Sequence, residues 1–323
     1  MKKRSIALLL LLVLLTGCGA TTEEAPWQAA YRETGKYLQE QDTLSAGSVG
    51  GEWAVIGLSR AGLLSDKAAQ SYEITAEDYV KQADSGRLDR SKSTENSRTI
   101  LGLTAAGYDA SNVAGVDLTS GLSDMNYLRI QGLNGPIWAL IALDCHSYDI
   151  PQCAEGGEQT TREGLVAEIL SYQCSDGGWA LIGDESDVDM TAMALTALAA
   201  YKDDAEVKAA VDAALAYLSD AQQEDGGFMS WGTANSESCS QVIVALTALG
   251  IDPAADARFT KAGGTAIDAL CAFACEGGGF RHSDEQTEPD GMATEQGFYA
   301  LAAYDRFRQG KTRLFDMTDI EVK

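Results

Sequence analysis

Two kinds of helical pattern alternate along the second half of the chain. Residues 190–201 and 241–249 are apolar or small at nearly every position, the pattern of a helix enclosed on all sides, and their alanines permit close backbone approach. Residues 205–222 instead set a charged face against a stripe of Ala, Val and Leu, as a helix with one side in solvent does. The alternation predicts two layers, an inner set of buried helices and an outer set of amphipathic ones.

Each buried run follows a glycine-rich aromatic turn. QCSDGGW (173–179), QQEDGGF (222–228) and CEGGGF (275–280) precede residues 191–201, 240–250 and 294–304. With Ala194, Ala245 and Gly297 taken as equivalent, the period is about 50 residues, the length of a helical hairpin that cannot bury its own apolar face. Weaker copies at 53–62, 98–107 and 136–145 bring the number to six. An open stack would need polar caps at both ends, whereas a ring lets the last hairpin pack on the first. The expected fold is therefore all-α, an (α/α)6 toroid of six helical hairpins over residues 27–310, followed by a C-terminal tail at 311–323. Trp179, Phe228 and Phe280 are expected to act as wedges between hairpins.

Ahead of the repeats, Lys2, Lys3 and Arg4 precede an unbroken apolar run at residues 6–15, too short to span a bilayer and typical of an export signal. Leu15-Thr16-Gly17-Cys18 follows and resembles a bacterial lipobox. That resemblance implies a signal peptide at 1–17, lipid on Cys18, a short tether at 18–26, and a protein anchored on the extracytoplasmic face of the cell membrane. Loss of the three basic residues would take the formal charge from −24 to −27. A surface so acidic repels nucleic acid and diphosphates at long range, so no nucleic-acid partner is expected.

Beyond Cys18 stand Cys145, Cys153, Cys174, Cys239, Cys271 and Cys275, enough for up to three disulfides of undetermined pairing. There is no paired Cys-x-x-Cys, and His146 and His282 do not stand at ligand spacing from another candidate, so no metal site is expected.

In a closed toroid the polar residues ahead of the inner helices gather at one end, where helix N-termini also offer unpaired amides. Here that rim comprises Ser48, Glu52, Glu95, Asn96, Gln131, Asn134, Asp187, Asp189, Asn235, Glu237, Gln241, Asp290, Thr294 and Gln296. The same residue types serve elsewhere as ordinary N-caps.

Gln173-x-x-Asp176-Gly177-Gly178-Trp179 and Tyr217-Leu218-x-x-x-Gln222-x-x-Asp225-Gly226-Gly227-Phe228 resemble the repeat shared by squalene and hopene cyclases, protein prenyltransferase β subunits, and the cobalamin carriers intrinsic factor and transcobalamin. The superfamily holds both catalysts and binders, so fold does not choose between them. Asp187-Val188-Asp189-Met190-Thr191-Ala192 is similar to the aspartate-rich motif with which hopene-type cyclases protonate an alkene through a neutral, desolvated acid, but Met190 replaces a further aspartate. Aromatic residues make up only 7% of the chain, few for a cavity that stabilises a travelling cation. A prenyltransferase would need zinc ligands in an Asp-x-Cys pair with a later His, and neither Asp187-x-Asp189 nor Glu237-x-Cys239 supplies them. Polysaccharide hydrolases and lyases also use helical toroids, and Asp187, Asp189, Glu237 and Glu295 could furnish a carboxylate pair.

The rim amides Asn96, Gln131, Asn134, Asn235, Gln241 and Gln296 suit a ligand fringed with carboxamides. Gly132-Leu133-Asn134-Gly135-Pro136 and Asn235-x-Glu237-x-x-x-Gln241 resemble bacterial exported proteins that share their toroid with transcobalamin. That resemblance implies a non-catalytic, membrane-tethered toroid that binds a corrinoid-like ligand through these amides with Asp187, Asp189, Glu237 and Thr294. A separate β domain or surface protein would complete its site, since the chain ends at Lys323 just past the sixth hairpin. The alternative is a polysaccharide-active or terpene cyclase-like enzyme using Asp187, Asp189 and Glu237.

Overall fold

The computed structural model describes residues 24–41, 43–83 and 86–323; the expected export signal and Cys18 lie outside them. Among the described residues twelve α-helices account for nearly all regular structure. Six form the inner layer: α2 (Trp53–Arg60), α4 (Ser93–Ala105), α6 (Asn134–Asp144), α8 (Val188–Leu198), α10 (Ser236–Leu249) and α12 (Gly291–Arg308). They pack in that order, and α12 closes onto α2. Outside them lie α1 (Pro26–Gln39), α3 (Asp66–Lys81), α5 (Met125–Leu128), α7 (Arg162–Ser171), α9 (Ala205–Ala221) and α11 (Ala266–Ala272). Two short antiparallel hairpins complete the regular structure, β1–β2 (Met229–Ser230, Thr233–Ala234) and β3–β4 (Thr260–Lys261, Gly264–Thr265). The ring closes through α1 as well, which packs on α11, α12 and α2.

The layers follow from the residue pattern. α6 and α8 are buried along almost their whole length, whereas α9 buries only Val207, Ala210, Val211, Ala214, Leu215 and Leu218. Close packing of the inner helices fixes residue size: a Cβ on Gly297 would stand 2.7 Å from the Phe280 ring. Trp179, Phe228 and Phe280 are fully buried, as wedges should be. Each wedge carbonyl accepts the amide of the residue capping the next inner helix, Asp187, Asn235 or Asp290. Gly226 supplies the turn into the second wedge at φ 90°, where a Cβ would lie 2.5 Å from the Thr265 carbonyl.

Four expectations need correction. The capping residues make Val242, not Ala245, the counterpart of Ala194 and Gly297, because the repeats are unequal: the β3–β4 hairpin and a longer loop from Phe280 to Asp290 lengthen the stretch after α10. The third outer helix is a single turn, α5, preceded by a 3-10 turn at Leu118–Leu122; the segment ahead of it is rich in Asp, Ser, Asn and Gly and lacks an aliphatic run, so its polar side chains take up turn hydrogen bonds instead. The six cysteines that could have made up to three disulfides make none: Cys145, Cys153, Cys174, Cys239, Cys271 and Cys275 are all free, and the two buried ones stand apart, Cys145 just after α6 and Cys239 within α10.

The fourth correction concerns the middle of the ring. Trp53 of α2 lies 5.3 Å from Trp138 of α6, across the interior, and Phe315 of the C-terminal segment meets both Trp138 and Tyr299 of α12. All four rings are at most 9% exposed. The middle of the ring is thus filled by aromatic side chains, and residues 311–323 are not a loose tail but a plug. At that end Arg60 donates to Asp319, Thr312 and the Arg313 and Asp316 carbonyls, and Arg306 donates to Thr312, the Arg60 carbonyl and Asp319.

Candidate functional site at the upper mouth of the ring

The inner helices all start at the end opposite the plug, here called the mouth. Many sequence-predicted rim residues gather there, but most have their hydrogen bonds inside the fold. Asp187, Asn235 and Asp290 are N-caps, accepting from the Met190, Ser238 and Ala293 amides. Asn96 is buried, accepts from the Leu88 amide and donates to the Leu118 carbonyl at 2.9 Å each. Gln131 accepts from the Thr94 amide and donates to its hydroxyl, pinning the start of α4. The Thr294 hydroxyl holds the Phe280 amide, as Thr191 holds that of Trp179. Asn134 opens α6 and is half-buried.

A smaller set converges on Tyr299, whose buried hydroxyl forms the floor of the mouth. Gln241 donates to that hydroxyl at 2.8 Å and to Gln296 at 3.1 Å. Burial raises the Tyr299 pKa far above the ordinary phenol range, and the carboxylates of Glu237, Asp189 and Glu295 raise it further, as negative charges near a titrating hydroxyl must. Three acids, one each from α8, α10 and α12, thus lie near enough to the Tyr299 hydroxyl for their charges to act on it.

Their environments differ. Asp189 sits in the first turn of α8, two residues past the Asp187 cap, and Glu237 holds the same place on α10 relative to Asn235. Burial pushes Asp189 up to about 6, with the charges of Asp187 and Glu237 adding to the rise while the Ser238 and Ser230 hydroxyls pull the other way. Asp189 Oδ1 and the Ser238 hydroxyl are each buried without a hydrogen-bond partner. Glu237 is paired instead: both its oxygens lie within 3.0 Å of His282 Nδ1, and one accepts from Ser236. Glu295 accepts from the Gly50 amide at 2.7 Å, and burial pushes it up to about 7. Beside it Glu52 is fully buried, tied to Arg98, Tyr72 and the Gly47 amide, and Arg98 also pairs with Glu95.

Sequence reasoning had named Glu295 as a possible partner in a carboxylate pair but missed His282, Ser230 and Ser238 as members of this cluster. His282 lies in the loop ahead of α12 and reaches Glu237 only because α10 and α12 are neighbours in the ring; sequence distance hides such a pair. Glu295 carried a signal, a lone acid in the apolar run of α12. Among the described residues no cluster of three or more His, Cys, Asp or Glu is arranged to hold a metal ion, and no helix is long and apolar enough to cross a membrane.

Comparison with known proteins agrees with the ring. A family model described as the prenyltransferase alpha-alpha toroid domain matches residues 123–313. No curated protein matches the sequence. Among solved structures, the chain is similar to the type II terpene cyclase MstE from Scytonema in complex with geranylgeranyl dihydroxybenzoate, at TM-score 0.60 and 13% identity, covering 87% of this chain and 98% of that one. It is similar also to an unsaturated glucuronyl hydrolase from Bacillus sp. GL1, responsible for the degradation of glycosaminoglycan, at TM-score 0.55 and 13% identity over 90% of this chain and 98% of that one. At such identity the likeness is one of fold.

Proposed function

The chain belongs to the prenyltransferase α/α-toroid domain family, and from that premise we propose that it is an enzyme acting by acid catalysis on a glycan bound at the mouth, with Asp189 as the proton donor. The observation that carries the reading is the state of Asp189: a buried carboxyl pushed up to about 6, with one oxygen lacking any partner. A structural cap needs no such group, and Asp187 already fills that role. A general acid does need a pKa near the working pH.

In this scheme the Asp189 O–H protonates the glycosidic oxygen as the C1–O bond breaks. Water adds to C1, and Glu237, held in place by His282, takes the water's proton. The ledger closes as hydrolysis: one water is consumed, one new hydroxyl appears on each fragment, and proton exchange with solvent resets Asp189 and Glu237.

Two toroid chemistries stand among the similar structures, and the filled centre favours the glycan over the isoprenoid. Cyclising a polyprene calls for an enclosed apolar chamber deep in the ring, and Trp53, Trp138, Tyr299 and Phe315 occupy that space. Around Asp189 and Tyr299 the hydrogen-bonding groups are Gln241, Gln296, Glu237, His282 and Ser230, polar groups suited to hydroxyls. The corrinoid-carrier reading has less support, because Asn96, Gln131 and Asn235 have their hydrogen bonds inside the fold. Localisation by a lipid on Cys18 remains part of the proposal.

The test is a panel of oligosaccharides and geranylgeranyl substrates, assayed with the wild-type chain and Asp189→Asn. Release of new reducing ends by the wild type and a loss of about 10²–10⁴-fold in the variant is expected. A cyclised terpene product, or equal glycan cleavage by the variant, would sink the assignment.

A further inference from the structure

Ahead of α10 the chain makes the two-residue hairpin β1–β2, with Met229 opposite Ala234 and Ser230 opposite Thr233. Its turn residues, Trp231 and Gly232, both have positive φ, 51° and 79°. A turn of this kind favours Asn-Gly, because a bulky side chain is strained in the left-handed region. Here the strained position carries a tryptophan, and it is 77% exposed. Neither the turn nor the core asks for that residue. The hairpin is also coupled to the acid's helix: β1 packs on α8, and Ser230 donates to Asp187 at 2.9 Å. Strain kept at an exposed residue beside a reactive group is the pattern of a ligand contact.

We infer that Trp231 is a stacking platform for a pyranose ring of an uncharged or amine-bearing hexose glycan. The inference rests on the glycan reading and names the substrate class. A flat aromatic face surrounded by hydroxyls and carboxylates matches a sugar, which offers C–H groups on one face and hydroxyls at its rim. Charge disfavours uronates: Asp184 and Glu185 lie on the loop ahead of α8, Asp187 and Glu237 stand near Asp189, and the His282 ring is already engaged by Glu237. A lipid surface is disfavoured by orientation. Trp27, at the start of α1, packs on Tyr304 near the end of α12, so the chain enters the ring at the plugged end and a lipid on Cys18 would turn the mouth away from the membrane.

The experiment uses the full-length chain in the Asp189→Asn background, so that glycan is bound and not consumed. Chitohexaose, a chondroitin hexasaccharide and phosphatidylcholine vesicles are titrated against it by calorimetry, with and without Trp231→Asn. Chitohexaose binding is expected, at least tenfold weaker with Trp231→Asn, while the unfolding midpoint of that variant equals or exceeds that of its parent because the turn is relieved. Unchanged chitohexaose affinity would overturn the platform and leave the catalytic reading standing. A lowered midpoint would make Trp231 structural and overturn it too. Preference for chondroitin, or vesicle binding that depends on Trp231 in place of glycan binding, would equally overturn it. Chitohexaose bound through Trp231 but left uncut by the wild type would support the platform and sink catalysis alone.

Discussion

The two ends of the ring hold carboxyl groups in opposite ways. At the plugged end Asp319 meets Arg60 and Arg306 and is held down at about 2 by their hydrogen bonds and charges, which overcome the cost of burial. At the mouth Asp189 meets no cation and is pushed up to about 6. Burial acts in the same direction at both sites; the partner decides the sign. A paired carboxylate locks the fold, whereas an unpaired one holds a proton that it can deliver near neutral pH. The contrast separates the structural end of the toroid from its chemical end.

The comparison breaks most sharply through substitutions at each end. Asp189→Asn should abolish turnover by about 10²–10⁴-fold yet leave the fold intact, measured by reducing-end release alongside circular dichroism. Arg306→Ala should do the reverse. It strips partners from Asp319, Thr312 and the Arg60 carbonyl in a partly buried network, and losing charged hydrogen bonds of this kind costs about 1.5–3 kcal/mol, read from denaturant midpoints. Glycan binding at the mouth should survive it wherever the variant is folded.

Smaller effects sharpen the same point through pH. Glu295 is raised in the fold from 4.5 to about 7, so the stability linked to its bound proton is present below about 4.5 and lost as pH rises through about 7. Glu295→Gln keeps an acceptor for the Gly50 amide and removes the buried charge. It should be more stable than wild type at pH 8, by on the order of 1–3 kcal/mol, and indistinguishable at pH 4. Asp319 has the opposite sign: its stabilisation is present above its unfolded pKa near 3.8 and fades as pH falls through about 2, so the plugged end should be the first to loosen in acid, visible as exchange of amides in residues 311–323.

Much of the ring was legible because its helices need no distant information. The all-apolar runs marked α8 and α10 as inner helices, and the Asp-Gly-Gly-aromatic turns located the wedges, since both depend on local packing and backbone conformation. The middle repeat slipped by three residues because an even period was assumed, whereas the caps Asp187, Asn235 and Asp290 are unevenly spaced. The plug escaped notice for a different reason: Leu314, Phe315 and Met317 are too few to announce an element, and only the convergence of α2, α6 and α12 gives them a place. At the mouth, Asp187, Asp189 and Glu237 were named from the sequence, but it could not tell a cap from an unpaired acid. That distinction depends on whether a neighbouring helix brings a partner, as His282 does for Glu237 and nothing does for Asp189 Oδ1.

The central claim is that opposite partnering sets opposite proton affinities at the two ends, and carboxyl carbon NMR of aspartate-labelled protein, assigned with Asp189→Asn and Asp319→Asn, reads both in one titration. The account predicts a midpoint of about 6 for Asp189 and about 2 for Asp319. An Asp189 carboxyl that titrates near 3.8, alongside the ordinary surface aspartates, would contradict it.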